Sequence, residues 1–298
     1  MIVSKIEINE PKELLNYFLS WQNNFNGIVF RGHNDESWKL TPTSLRISER
    51  DRPLYKTLYG HFPEDIKETE FIQAAYEFNY LQKFFIRADL QGLKVPNDYI
   101  LRNSPRDFIG ANALEYLANQ QEWPPRTLDE LAGLAQHYGI PTRLLDWSYD
   151  PFIALYFALK DSWQAEGNLS IWCLDTNLVR VVSMNNPDFP LRIITPPYFN
   201  NPNLNAQKGL FTLIPTVEKE MGIVNAKYES RPLDEYMEEK FPMEKLLKGI
   251  HPLKHITFPR HSALQAYKYL ESHGYGSEKI FPGYKGIADQ IMQPHQFP

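Results

Sequence analysis

Residues 135–158 read AQHYGIPTRLLDWSYDPFIALYFA, and the grammar of this stretch sets the expected fold. Gly139 and Pro141 stop a helix that the pattern starts at Thr127, with Thr127 as N-cap and Glu130 as its capping-box partner. Pro151 then opens a second, strongly apolar helix, FIALYFALK. Between these helix ends stand Gln136, His137, Tyr138, Thr142, Arg143, Asp146 and Ser148, a dense run of polar groups flanked by apolar faces. The free amides at the start of the second helix could receive an anion. A plainer reading also stands: Asp146 and Asp150 cap that helix, Arg143 pairs with Asp146, and the aromatics fill the core.

Upstream, Gly27-Ile-Val-Phe-Arg-Gly32 reads as a short buried strand closed by Arg31. A buried guanidinium is costly without a partner, so Arg31 requires either a carboxylate such as Asp35 or Asp146, or an anionic ligand such as a phosphate. Gly32 lets a backbone or a ligand approach closely.

Outward from these two segments, the chain alternates helical and extended patterns. A strand over residues 1–9 precedes a helix from Pro11 to about Asn24. Residues 33–60 read as an ordered polar loop. Phe71, Ala75, Phe78, Leu81, Phe85 and Ile86 mark a helix within 63–92, and a further helix is expected over 105–120. Strands are expected at Leu169–Leu174, Val179–Val182, Leu210–Ile214 and His255–Phe258. The Asn- and Pro-rich stretch 185–205 reads as a ligand-shaped or mobile surface loop. Helices at 232–248, 260–273 and 284–293 complete the chain. The sum is a single α+β domain over 1–298, with a mixed or antiparallel sheet, a core over about 25–290 and a mainly helical insertion over 63–145.

Composition narrows the function. The 298 residues carry 31 Lys and Arg against 36 Asp and Glu, a net charge of −5 that excludes bulk coating of nucleic acid or an anionic membrane. The lone Cys173 excludes internal disulfides and multi-thiolate metal sites, and the chain reads as a cytoplasmic, soluble protein. FIALYFAL, at 152–159, is far shorter than the ~20 apolar residues of a membrane span. Phosphate-loop, dinucleotide, zinc-protease and nucleophile-elbow motifs are missing, and the scattered histidines suggest no metal centre.

Phe30-Arg31-Gly32 resembles the tripeptide for which the FRG-domain family is named, and HYGIPTRLLDWS (His137–Ser148) resembles that family's second hallmark. The stretches Ala206–Phe211 and Ile280–Ala288 are similar to its later elements. That resemblance by itself implies no particular activity. The order of elements also resembles the arginine–serine–glutamate class of ADP-ribosyltransferases. That resemblance implies an NAD-handling transferase or glycohydrolase, with NAD as substrate, Arg31 gripping its phosphates, Ser148 or Asp146 at the middle position and Gln207 at the third. Gln207 departs from the pattern, because a neutral amide stabilises a developing cation less than a carboxylate does.

Two further readings use the same residues. A non-catalytic module would bind a nucleotide or another phosphorylated small molecule through Arg31, Gly32, Tyr138, Thr142, Arg143 and Trp147, together with His137. A metal-independent hydrolase or nuclease would pair His137 with Asp146 as acid and base. Residues 185–205 are the expected contact area if the role is instead to hold a protein partner.

Overall fold

The computed structural model describes residues 2–20, 25–46, 69–103, 108–118, 120–160, 166–199, 201–218, 222–242 and 249–292. The expectations for 47–60, 63–68, 105–107 and 243–248 lie outside these residues. The strands are β1 (Val3–Glu7), β2 (Ile28–His33), β3 (Glu122–Trp123), β4 (Leu145–Ser148), β5 (Asn168–Asp175), β6 (Arg192–Ile194), β7 (Gly209–Leu213), β8 (Thr216–Val217) and β9 (Leu253–Pro259). The helices begin with α1 (Pro11–Leu19), α2 (Thr43–Arg46), α3 (Glu70–Leu90), α4 (Asp98–Asn103), α5 (Ala113–Leu117), α6 (Asp129–His137) and α7 (Pro151–Leu159). They continue with α8 (Thr176–Asn185), α9 (Pro202–Ala206), α10 (Leu233–Lys240), α11 (Ala263–Ser272), α12 (Ser277–Ile280) and α13 (Tyr284–Met292).

The fold is α+β, and the chain forms two compact units. The first comprises Met1–Leu40, Asp146–Phe211 and Leu233–Pro298. A seven-stranded sheet of order β1-β9-β5-β2-β4-β7-β6 is its frame. The sheet is mixed: β1 runs parallel to β9, whereas β9–β5, β5–β2 and β2–β4 are antiparallel. One face carries Phe30, Leu169, Ile171, Cys173, Ile256 and Phe258 against α1, α7 and α11. Burial here pushes the Cys173 thiol up to about 12, which keeps it protonated and inert.

The helix α7 explains its own sequence. Asp150 caps it by accepting from the amide of Phe152 at 3.0 Å, and Pro151 occupies the first turn. Gly32 is where α7 meets β2. A Cβ there would lie 1.9 Å from the carbonyl oxygen of Ala154 and 2.7 Å from the amide nitrogen of Ala158.

The second unit comprises Thr41–Leu145 and Thr212–Pro232, and the helical insertion expected over 63–145 falls within it. Its long helix α3 buries Ala75, Phe78, Leu81 and Phe85, the stripe marked in the sequence. Phe78 stacks on Tyr116 and meets Phe108 edge to face.

Several local expectations are corrected. Val179–Val182 lies in α8, not in a strand. Asp175 accepts from the amide of Leu178, and Thr176, Val179 and Val182 form a buried helical stripe, which outweighs the local β-propensity of the valines. The segment 185–205 is not one loop; it contains β6 and α9. Thr127 caps nothing: it sits inside a 3-10 turn, Arg126–Leu128, and α6 begins at Asp129 without a side-chain cap. Of the helix expected over 105–120, only Ala113–Leu117 is helical among the described residues. No helix among the described residues is long and apolar enough to cross a membrane.

Candidate functional site

Strand alternation divides the residues of β2 between two environments. Phe30 and Gly32 face α7, so Arg31 and His33 stand on the opposite face. Gly32, expected among the ligand contacts, therefore serves the approach of a helix.

Arg31 is held on two of its nitrogens. Nη1 donates to the Oδ2 of Asp146 at 2.6 Å and to its backbone oxygen at 2.9 Å. Nε donates to Nε2 of His33 at 3.0 Å. An acceptor at Nε2 places the imidazole proton on Nδ1, which then donates to the Trp38 carbonyl at 3.2 Å. The exposed Trp38 indole meets His33 edge to face at 6.0 Å. Nη2 of Arg31 has no partner among the described residues, and the side chain retains 12% exposure.

The segment after β2 is pinned, which fixes His33 and Trp38. Asp35 accepts from the amide and hydroxyl of Ser37, and Ser37 holds its carboxyl below the usual range. Arg260 donates to the Asn34 carbonyl, and Leu40 exchanges bonds with Leu233 and Asp234. Of the two carboxylates considered for Arg31, Asp146 is thus the one that takes it. Arg143 does not pair with Asp146.

Ser148 and Gln207 do meet, but through the backbone. Ser148 Oγ donates to the Gln207 carbonyl at 2.8 Å and accepts from the Asp150 amide at 2.9 Å. The Gln207 amide side chain donates to the Ile280 carbonyl at 3.3 Å. Lys208 donates to Oδ2 of Asp150 at 2.8 Å, and the Tyr275 hydroxyl donates to the same oxygen at 3.1 Å. Burial, with that carboxylate beside it, pushes the Tyr275 phenol up to about 12. The Asp150 carboxylate therefore already occupies the start of α7, where an external anion was expected.

Trp147 is buried in β4. His137, Tyr138, Thr142 and Arg143 belong to the second unit. There His137 is half-buried, which lowers its pKa from 6.5, and Tyr138 is exposed beside it. Thr142 donates to Gln136 and accepts from the Leu144 amide.

Arg143 is 3% exposed and fully engaged: Nε to Glu77 at 2.8 Å, Nη2 to Glu70 at 2.7 Å, and Nη1 to Thr216 at 3.1 Å. Glu77 also accepts from Trp123, Ser44 and Gln73, each at 2.7 Å. Burial raises the Glu70 pKa despite the nearby guanidinium. Arg143, expected as a ligand contact, is the hub of this internal network.

His33 and Trp38 escaped the sequence reading, although the period-two rule places residue 33 on the face of residue 31. Among the described residues, no group of three or more His, Cys, Asp or Glu could hold a metal. Residues 26–167 match the family model described as FRG domain. No curated protein and no solved structure matches the chain.

Proposed function

Starting from the FRG domain that this chain carries over residues 26–167, we propose that its task is to bind a small anionic ligand, a nucleotide or similar phosphorylated molecule, on Arg31. The observation that carries this reading is the held but incompletely used guanidinium. Asp146 and His33 fix Nη1 and Nε, and Nη2 remains open at the surface of the sheet. A guanidinium fixed in this way loses little further entropy on meeting a phosphate. Asp146, with 65% exposure, can give way to a stronger anion.

Binding without turnover accounts better for the neighbours. Ser148 and Gln207, the residues that a transferase would spend on NAD, are committed to backbone carbonyls. The hydrolase reading asks Asp146 to serve His137, whereas its carboxylate serves Arg31. The likeness of element order to ADP-ribosyltransferases rests on the sequence alone.

The test is to incubate the purified protein with pyrophosphate, ADP or NAD while reading thermal shift and free nicotinamide together. The expected result is stabilisation by the phosphorylated ligands that is lost in a folded Arg31→Lys variant, with no nicotinamide released. Nicotinamide release that disappears in Arg31→Lys would replace this reading with the transferase one. An absence of any shift would overturn it.

A further inference from the structure

The face of the sheet that bears Arg31 holds three more hydrogen-bonding groups that the proposed anion contact does not use. In the strand register, Arg31 lies opposite Trp172, Trp172 opposite His255, and His255 beside Lys5. Residues paired in this way share a face, so one row crosses β2, β5, β9 and β1. His33, Ser170 and Thr257 form the neighbouring row.

Within these rows, Ser170 Oγ, Trp172 Nε1 and His255 Nε2 are out of contact with solvent and have no hydrogen-bond partner among the described residues. Their residues are 0%, 4% and 9% exposed. An unpaired buried donor or acceptor ordinarily costs ~1–3 kcal/mol, so three on two adjacent strands are a deficit that a ligand would remove. Trp172 and His255 stack at 4.1 Å between ring centroids. Burial and Lys5 together lower the imidazole to about 4, so it is neutral at ordinary pH.

All three groups are uncharged, and they suit hydroxyls, carbonyls and ring nitrogens better than phosphate. Arg31 supplies the anion contact at one end of the row. From β2 to β9 is two strand spacings, on the order of 10 Å, comparable to the reach of a nucleotide from its phosphates to its base.

We propose that this face is the nucleoside half of the ligand site: the phosphates lie on Arg31, and the sugar and base bond to Ser170, Trp172 and His255. The proposal rests on the anion-binding reading of Arg31 and narrows the ligand class from any phosphorylated molecule to a nucleotide.

The test compares ADP, adenosine and inorganic pyrophosphate by calorimetry, on the full chain and on Ser170→Ala and Trp172→Phe. The expected result is that each variant binds ADP and adenosine ~3- to ~10-fold more weakly and pyrophosphate unchanged. Ser170→Ala removes only an unpartnered oxygen, so without ligand it should melt no lower than the parent. If Ser170→Ala melts lower, a buried water or another internal group already satisfies that oxygen, and the proposal falls. It falls equally if ADP affinity is unchanged in both variants, or if ADP binds no better than pyrophosphate. Adenosine binding lost in the variants, without any pyrophosphate binding, would keep this subsite and discard the Arg31 contact. If none of the three ligands binds, both are discarded.

Discussion

Replacing Gly32 with alanine tests whether the third residue of the tripeptide serves packing. The added Cβ would sit 1.9 Å from Ala154 O and 2.7 Å from Ala158 N, whereas ordinary contacts begin near 3.4 Å. Both obstacles are backbone atoms of α7, so no side chain can swing aside. Strand and helix must part by roughly 1.5 Å, loosening Ala154, Leu155 and Ala158 from Phe30 and Ile171. Overpacking of a tight core typically costs ~1–3 kcal/mol, and a clash with rigid backbone belongs at the upper end. We expect about 3 kcal/mol, which at ~2–4 °C per kcal/mol lowers Tm by about 6–12 °C. Urea unfolding followed by circular dichroism gives the free energy, and a thermal scan gives Tm. Gly92→Ala is the control. Its φ of +69° imposes backbone strain, but nothing lies within 4 Å of the new Cβ, so ~1 kcal/mol is expected. A Gly32→Ala protein no less stable than Gly92→Ala would refute the argument.

Other substitutions separate structure from binding. Arg143→Met strands Glu70 and Glu77 without their cation and should cost about 3–5 kcal/mol in urea unfolding; a loss under ~1 kcal/mol would deny the network its role. Because the Glu70 pKa is raised in the folded chain, that carboxyl keeps a proton which the unfolded chain releases above 4.5. The wild-type protein should therefore lose stability as pH climbs from 4.5 towards the folded pKa, and Glu70→Gln should flatten that slope in Tm-against-pH scans; parallel slopes would contradict it. Asp146→Asn should change stability by less than ~1 kcal/mol, since the pair is exposed on the Asp146 side, yet tighten pyrophosphate binding by removing a competing carboxylate. Calorimetry showing equal or weaker binding would contradict that competition.

What the sequence disclosed depended on how local the cause was. The choice of partners for Arg31 was legible, because a strand-borne guanidinium has few ways to be satisfied, and Asp146 was among those named. The apolar stripe of α3 and the start of α7 at Pro151 were likewise written in short-range spacing. The role of Arg143 was not, because its partners Glu70, Glu77 and Thr216 lie more than sixty residues away along the chain. The stretch from His137 to Ser148 read as one polar site, although the chain passes from one compact unit to the other between Leu145 and Asp146. Val179–Val182 misled because three valines favour a strand locally, whereas Asp175 and the buried face of α8 decide for a helix. The unpartnered atoms of Ser170, Trp172 and His255 become recognisable only once the strand register puts them side by side.

The sheet order has a consequence for synthesis on the ribosome. β9, which follows both β1 and β5 along the chain, sits between them in the sheet. Until Leu253–Pro259 has emerged, β1 lacks its neighbour and the backbone of β5 presents an open ladder, since Val3 pairs with Leu253 and Ser170 with Thr257. Closing that gap joins the two most distant parts of the frame in a single late step, which places this topology among the slow folders. A ribosome that stalls before β9 would leave an uncovered strand edge ready to pair with other chains.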